Sequence, residues 1–267
     1  MSNPSPFWQD MTTVDFSTSE TKEWVAILPV AAIEQHGPHL PVATDTVIGL
    51  GMIDAVVKQL PSDLPATFLP LQSVGKSNEH ISSPGTLTLS WQTATQAWIE
   101  IGESVARAGV RKLVIVTSHG GNVAIDDIIA RELRVNHDML VIPTSWGRQG
   151  QLTGVYPEIE ATYGIHGGDV ETSMMLHFRP DLVRMEHAVD FKSAQTAARK
   201  TYTHLGLHGP NPIGWKAQDL NVAGTVGNAS LATADKGQKT VDFYADRFVE
   251  LLYDVHRFPL SDLWTAE

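Results

Sequence analysis

Carboxylate and imidazole side chains lie close together near the start of the chain, directly after an apolar run at 24–32. Glu34 and His36 are two residues apart, and Asp45 follows nine residues later. If the strand that includes the apolar run extends through Glu34 and His36, its two-residue period sends both side chains to one face. Zn²⁺ and related ions favour imidazole and carboxylate donors at about 2 Å. The segment therefore predicts a divalent-metal site that Asp45 closes from the next element.

A second candidate group follows a buried apolar strand predicted at 112–117. His119 stands where it can bind a metal, although a histidine at the end of a strand can also simply satisfy a turn carbonyl. Gly120 and Gly121 allow backbone N–H groups of the following helix to approach a substrate oxygen. We place Asn122, at the end of this segment, among the residues that support the ligands.

A third group surrounds the glycine pair at 167–168. His166 precedes the pair, and Glu171 lies in the first turn of the helix predicted after it. A carboxylate is favoured at that position by the helix dipole, so Glu171 is either a metal ligand or an ordinary helix-start residue. His39 has two similar interpretations, since it either orients a ligand or lies on the surface.

The elements that must position these residues alternate between apolar runs and helical patterns. The sequence predicts strands at 24–29, 66–71, 112–117 and 139–143, and helices at 45–60, 90–108, 123–136, 169–178 and 234–255. Strand, glycine turn, helix and strand form a βαβ unit, whose right-handed crossover puts the candidate residues at the carboxyl edge of a parallel sheet. The segment at 145–168 is rich in loops, and the polar segment at 187–234 shows no clear periodicity.

Composition narrows the class of protein. With 267 residues, 42% of them hydrophobic, the chain can bury one substantial core, and we expect a single domain over 1–267. It has no cysteine, so any metal must bind to nitrogen and oxygen, which suits a cytoplasmic location. A net charge of −11 gives no basic surface for nucleic acid, and we predict no membrane span and no signal peptide. We expect a small-molecule substrate.

Five ordered motifs between about 20 and 255 resemble the creatininase (creatinine amidohydrolase) family. They are Leu28-Pro-Val-Ala-Ala-Ile-Glu34-Gln-His36-Gly-Pro-His39, Thr44-Asp45, Pro84-Gly85-Thr86, Ser118-His119-Gly-Gly-Asn122 and His166-Gly-Gly-Asp-Val-Glu171-Thr-Ser. The resemblance implies a three-layer α/β/α domain with a mostly parallel sheet, two divalent ions (zinc, manganese or iron), hydrolysis of C–N bonds in small cyclic or formamide-type substrates, and a homohexamer. It places the metal ligands at Glu34, His36, Asp45 (the bridge), His119 and Glu171.

The same resemblance makes His166 the catalytic histidine, which moves a proton to the leaving nitrogen, and puts His80 and Trp146 at the substrate. Glu34 joins His166 as a catalytic candidate, and backbone N–H groups at Gly120 or Gly121 are candidates for holding the developing oxyanion. Water activated by the two ions supplies the nucleophile.

Two departures bear on the substrate. Gly121 stands where true creatininases have a metal-binding glutamate, which makes Glu171 the natural replacement ligand, and Thr162 stands where they have a pocket tryptophan. Retained ligands with a changed pocket favour a related amide over creatinine itself. Other readings stay open at this point: a formamide deformylase, a hydrolase of a cyclitol or cyclic-ketone ring, and a subunit that binds a metal or small ligand without turnover.

Overall fold

A four-stranded parallel sheet forms the centre of the computed structural model, which describes residues 3–150 and 152–264. The strands are β1 (Val25–Val30), β2 (Ala66–Phe68), β3 (Lys112–Thr117) and β4 (Leu140–Ser145), in the order β2-β1-β3-β4. At the carboxyl edge Val30 lies opposite Thr117, which lies opposite Ser145. β1 and β3 are buried along their whole length, as expected for strands covered on both faces.

Helices cover both faces of this sheet, which confirms the predicted three-layer α/β/α class. They are α1 (Thr44–Lys58), α2 (Trp91–Arg107), α3 (Val123–His137), α4 (Glu158–Tyr163), α5 (Asp169–Phe178), α6 (Gln195–Thr201), α7 (Ala217–Leu220) and α8 (Ala234–Arg257). One core joins β1 and β3 to α1, α5 and α8, with Met52 and Phe248 fully buried in it. The other joins the opposite face to α2 and α3 around Trp98 and Leu133.

The order of the strands places a crevice beside the candidate residues. The chain leaves β1 for β2 on one side and later returns to β3 on the other side, so connections diverge between β1 and β3. In open α/β sheets, ligands bind outside the carboxyl ends of the strands at this switch point. None of the helices within 3–150 and 152–264 is long and apolar enough to cross a membrane.

The structure differs from the sequence-based expectations at several elements, and β2 is shorter than the strand predicted over 66–71. β1 ends at Val30, so Glu34 and His36 lie in the following loop and not on an extended strand. That loop is fixed by an internal hydrogen bond, from the N–H of Glu34 to the carbonyl of Val42 at 2.8 Å, and by another segment, since the N–H of Leu87 donates to the carbonyl of Ile33 at 2.8 Å. Short elements also occur where none was predicted: α4, α6, α7, and the two-residue antiparallel strands β5 (Asp190–Phe191) and β6 (Gly227–Asn228).

Candidate metal centre and active site

The carboxylate of Glu34 lies at the centre of a buried cluster of imidazoles. It is fully buried, and its Oε2 accepts a hydrogen bond from the hydroxyl of Ser77. Its other oxygen, Oε1, faces four histidines: His119 Nδ1 at 3.1 Å, His80 Nε2 at 3.5 Å, His166 Nδ1 at 3.6 Å and His36 Nε2 at 4.0 Å. Residues that follow β1 and β3 are thus brought together at the carboxyl edge of the sheet.

Asp45 lies between two groups of potential ligands. It occupies the first turn of α1, whose N-cap residue is Ala43. Its Oδ1 is 3.4 Å from His36 Nε2, and its Oδ2 is 3.6 Å from His119 Nδ1. Asp45 therefore belongs to two sets of converging donor atoms, Glu34–Asp45–His119 and His36–Asp45–Glu171.

Glu171 completes the second set from the start of α5. Its Oε2 lies 3.8 Å from His36 Nε2 and accepts a hydrogen bond of 2.6 Å from the N–H of Gly167. It is the most exposed of the five acidic and imidazole ligand candidates, with about a quarter of its side chain accessible. Glu171 is therefore where the cluster meets solvent.

The donor atoms of the cluster fit divalent cations. Within residues 3–150 and 152–264, Glu34 Oε1, His36 Nε2 and Asp45 Oδ2 are buried and have no hydrogen-bond partner. Buried polar atoms of this kind cost free energy unless they are hydrogen-bonded or bind an ion. All three residues belong to groups whose donor atoms lie within 4.8 Å of one another, and their nitrogen and oxygen chemistry suits Zn²⁺, Mn²⁺ or Fe²⁺.

The electrostatics of the site favour positive charge at its centre. Burial opposes protonation of His36, but Asp45, Glu171 and Glu34 outweigh it and raise the pKa of His36 to about 10. The pKa of His119 rises to about 9, because Glu34 and Asp45 again outweigh burial. Burial raises the pKa of Glu171 to about 7. The carboxylates therefore stabilise a cation here, whether a proton or a metal ion.

His166 has the opposite character and stays neutral. Burial, followed by the neighbouring charge of His36, holds the pKa of His166 well below its ordinary value. Its Nε2 lies 2.7 Å from the carbonyl oxygen of Gln35 and donates to it, so Nδ1 keeps its lone pair and faces Glu34. The carbonyl of His166 in turn accepts from the N–H of Val226 at 2.8 Å. His166 thus presents a fixed base to the cluster.

His80, which the resemblance put at the substrate, is buried in the cluster. The amide of Gln35 donates to His80 Nδ1 at 2.8 Å, which leaves Nε2–H directed toward Glu34. Burial lowers the pKa of His80 to about 4. The half-buried ring of Trp215 packs edge-on against His80, with ring centroids 6.4 Å apart. Trp215 lies in the segment to which the sequence assigned no element.

The two predicted supporting residues connect the segments that carry the cluster. His39 Nε2 lies 2.9 Å from the carbonyl of Gly167 and 3.0 Å from Thr172 Oγ1. The amide of Asn122 donates to the carbonyl of Ala31 at 3.0 Å, just beyond β1, and its oxygen accepts from the N–H of Lys76.

Trp146 was predicted at the substrate, but its ring is packed in the core. It is 3% exposed, and its ring centroid lies 4.7 Å from that of Phe248 in α8. It follows β4 directly, so its position at the sheet edge was predictable, whereas the direction of its side chain was not.

The two glycines after His119 differ in their surroundings. A side chain at Gly120 would meet open space within 4 Å. A side chain at Gly121 would overlap the carboxylate of Glu79 and the ring of His119. Glu79, which is paired with Lys76 at 2.6 Å, therefore fills the volume beside Gly121. Neither Glu79 nor Ser77 was identified from the sequence, although both lie in the same short stretch as His80.

A cavity of about 580 Å³ borders the cluster at Glu171. Its wall includes Gly147, Gly154, Tyr156, Thr162, Val170 and Tyr244. Thr162 thus lines a space that reaches a candidate metal ligand.

Comparison with known proteins identifies relatives along most of the chain. The family model "Creatininase: Creatinine amidohydrolase" matches residues 9–252. A mycofactocin precursor peptide peptidase from Mycolicibacterium smegmatis is 31% identical over 218 residues, covering 80% of this chain and 78% of its own. Creatinine amidohydrolase from Pseudomonas putida is 30% identical over 230 residues, covering 80% of this chain and 83% of its own. A crystal structure of creatinine amidohydrolase (creatininase) superposes with a TM-score of 0.77 and 26% identity, covering 96% of this chain and 100% of that chain.

Proposed function

The chain belongs to the creatininase family of hydrolases, and on that basis we propose that it hydrolyses the C–N bond of a small cyclic amide with two divalent ions. Glu34, Asp45 and His119 would hold one ion, and His36, Asp45 and Glu171 the other. The observation that carries this proposal is the position of Asp45, whose two oxygens face His36 and His119. When bound, such ions lower the pKa of a water molecule and polarise a carbonyl.

His166 supplies the proton transfer that amide cleavage needs. Its Nε2–H donates to the carbonyl of Gln35, so Nδ1 is free to accept a proton from the attacking water. The same atom then returns the proton to the leaving nitrogen, which must be protonated to depart as an amine. Gln35 fixes the reactive tautomers of both His166 and His80.

Peptide cleavage is a second candidate within the same chemistry. The cavity of about 580 Å³ beside Glu171 offers more room than a small ring requires. Open space at Gly120 and the small Thr162 side chain support the same interpretation. One relative named above is a peptidase, and its amide substrate would use the same nucleophile and the same His166.

The test combines metal analysis with a substrate panel. Purified protein, loaded separately with Zn²⁺, Mn²⁺ and Fe²⁺, is assayed on cyclic amides, hydantoins, formamides, cyclic ketones and short peptides. We expect two ions per chain and hydrolysis of an amide class, and we expect His166→Ala to keep the metal and lose activity. His137→Ala, on the far end of α3, is the matched control. Protein that holds no metal and hydrolyses none of the panel would refute the proposal.

Three broader predictions accompany this function. We propose that the whole chain forms one domain, that the enzyme is cytoplasmic and that it assembles as a homohexamer. The exposed apolar side chains of Ile81, Leu87 and Trp91 support assembly, because a neighbouring subunit would cover them. Light scattering after size exclusion measures the number of chains per particle, and a monomer at micromolar concentration would contradict the hexamer.

A further inference from the structure

The carboxylate of Glu160 connects three segments of the chain that flank His166 and Glu171. Glu160 is 4% exposed and is the buried residue of α4. Its Oε1 accepts a hydrogen bond of 2.7 Å from the N–H of Asp169, at the start of α5. Its Oε2 accepts a second, also of 2.7 Å, from the N–H of Asn228 in β6. One side chain thus joins α4, α5 and β6.

The Glu160 carboxylate caps the N-terminus of α5, which has no capping side chain of its own. The N-cap residue of α5 is Gly168, which has no side chain to accept from the first N–H groups of the helix. Glu160 supplies that acceptor from another element, and its negative charge is favoured at a helix N-terminus. The N–H of Asp169 is fully buried, so without Glu160 it would have no acceptor.

Three glycines make room for this carboxylate. A side chain at Gly164, Gly168 or Gly227 would overlap Oε1 of Glu160. These glycines come from the end of α4, the start of α5 and β6, which are the same three segments that Glu160 joins. The close packing on every side fixes the position of the carboxylate.

The catalytic candidate His166 and the metal-ligand candidate Glu171 both depend on the segment held in this way. His166 pairs with Val226, two residues before Asn228, and its carbonyl accepts from Thr225 Oγ1 at 2.6 Å. Glu171 lies two residues after Asp169 and binds the N–H of Gly167. We propose that Glu160 is a positioning residue, which holds His166 and Glu171 toward the centre through the N–H groups of Asp169 and Asn228. This inference rests on the proposed function of His166 and Glu171.

The decisive variant is Glu160→Gln, since it keeps the shape of the side chain but turns an NH₂ group toward one of the two N–H donors. We expect activity to fall by about 10–100-fold, as for other residues that support metal ligands. We expect the metal content to fall from two ions toward one, because Glu171 serves only one donor set. Hydrogen exchange of the amides at 167–169 should become at least about tenfold faster. Glu186→Gln, an exposed residue outside these segments, should match the parent in all three measurements.

The three measurements separate the possible failures. If Glu160→Gln keeps the parent's exchange rates, metal content and activity, the positioning role is refuted. It is also refuted if exchange accelerates while metal content and activity stay at parental values, because Glu160 would then be structural only. If the parent protein binds no metal and hydrolyses nothing, the proposed function fails, and the exchange rates still show whether Glu160 holds the segment. Unchanged exchange in that case refutes the inference as well.

Discussion

Oε1 of Glu34 lies 3.1 Å from Nδ1 of His119, although the two residues are 85 positions apart in the chain. Their proximity follows from the sheet, because β1 and β3 are adjacent and parallel and both end just before these residues. The same arrangement brings Asp45 from α1 against His36 and His119, and Glu171 from α5 against His36. The donor atoms thus come from four different elements, which favours a rigid metal centre.

Replacement of Asp45 by asparagine should abolish activity. The change removes the charge and one of the two anionic oxygens that face His36 and His119. Mutation of residues that only support metal ligands already lowers metal affinity or activity by about 10–100-fold. Because Asp45 faces both ion positions, its replacement should lower kcat/KM by more than about 100-fold. Metal analysis should find less than one ion per chain. Asp54→Asn, an exposed position on the same helix, serves as the control and should behave like the parent.

Metal binding should release protons and weaken in acid. In the metal-free protein the pKa values of His36 and His119 are about 10 and about 9, so both rings carry a proton at pH 7. Each must lose that proton before its nitrogen can bind a metal, so affinity rises with pH up to these values. Glu171, with a pKa of about 7, releases part of a further proton. Titration calorimetry in two buffers of different ionisation enthalpy should therefore show release of about two to three protons at pH 7. Binding without proton release, independent of pH, would contradict the prediction.

The sequence predicted the positions of the main cluster because parallel strands end at a common edge. Glu34, His36 and His119 follow strands whose apolar runs are unmistakable, and Asp45 and Glu171 lie in first helical turns. It did not predict Ser77, Glu79 or Glu160, since each is defined by a contact with a segment far along the chain. Such contacts leave no periodic pattern in the sequence. The direction of the Trp146 side chain depends likewise on its packing against α8.

The two glycines after His119 should respond differently to alanine. The new methyl group at Gly121 would lie 2.9 Å from the carbonyl oxygen of Lys76 and against Glu79 and the His119 ring. Because backbone cannot easily move aside, Gly121→Ala should destabilise the protein by about 1–3 kcal/mol and weaken metal binding. Gly120→Ala meets open space and should change the free energy of unfolding by less than about 0.5 kcal/mol. Denaturant unfolding of both variants measures the difference, and equal effects would contradict it.

Asp126 should make the protein less stable as the pH rises. It is 1% exposed on α3, and neither oxygen has a hydrogen-bond partner within 3–150 and 152–264. Burial, assisted by Asp127, raises its pKa from 3.8 to about 8. Between these values the folded protein keeps a proton that the unfolded chain has lost, so this group's contribution to stability falls with increasing pH.

Asparagine at this position has no proton to lose and should remove that dependence. Asp126→Asn should therefore raise the free energy of unfolding by about 1–3 kcal/mol at pH 9 and have little effect at pH 5, where the carboxyl is already neutral. Glu132→Gln, at an exposed position on the same helix, is the control and should change stability by less than about 0.5 kcal/mol at either pH. Thermal and denaturant unfolding at the two pH values measure the effect. If Asp126→Asn destabilised the protein equally at pH 5 and at pH 9, the prediction would be wrong, because the carboxylate would then have a stabilising partner.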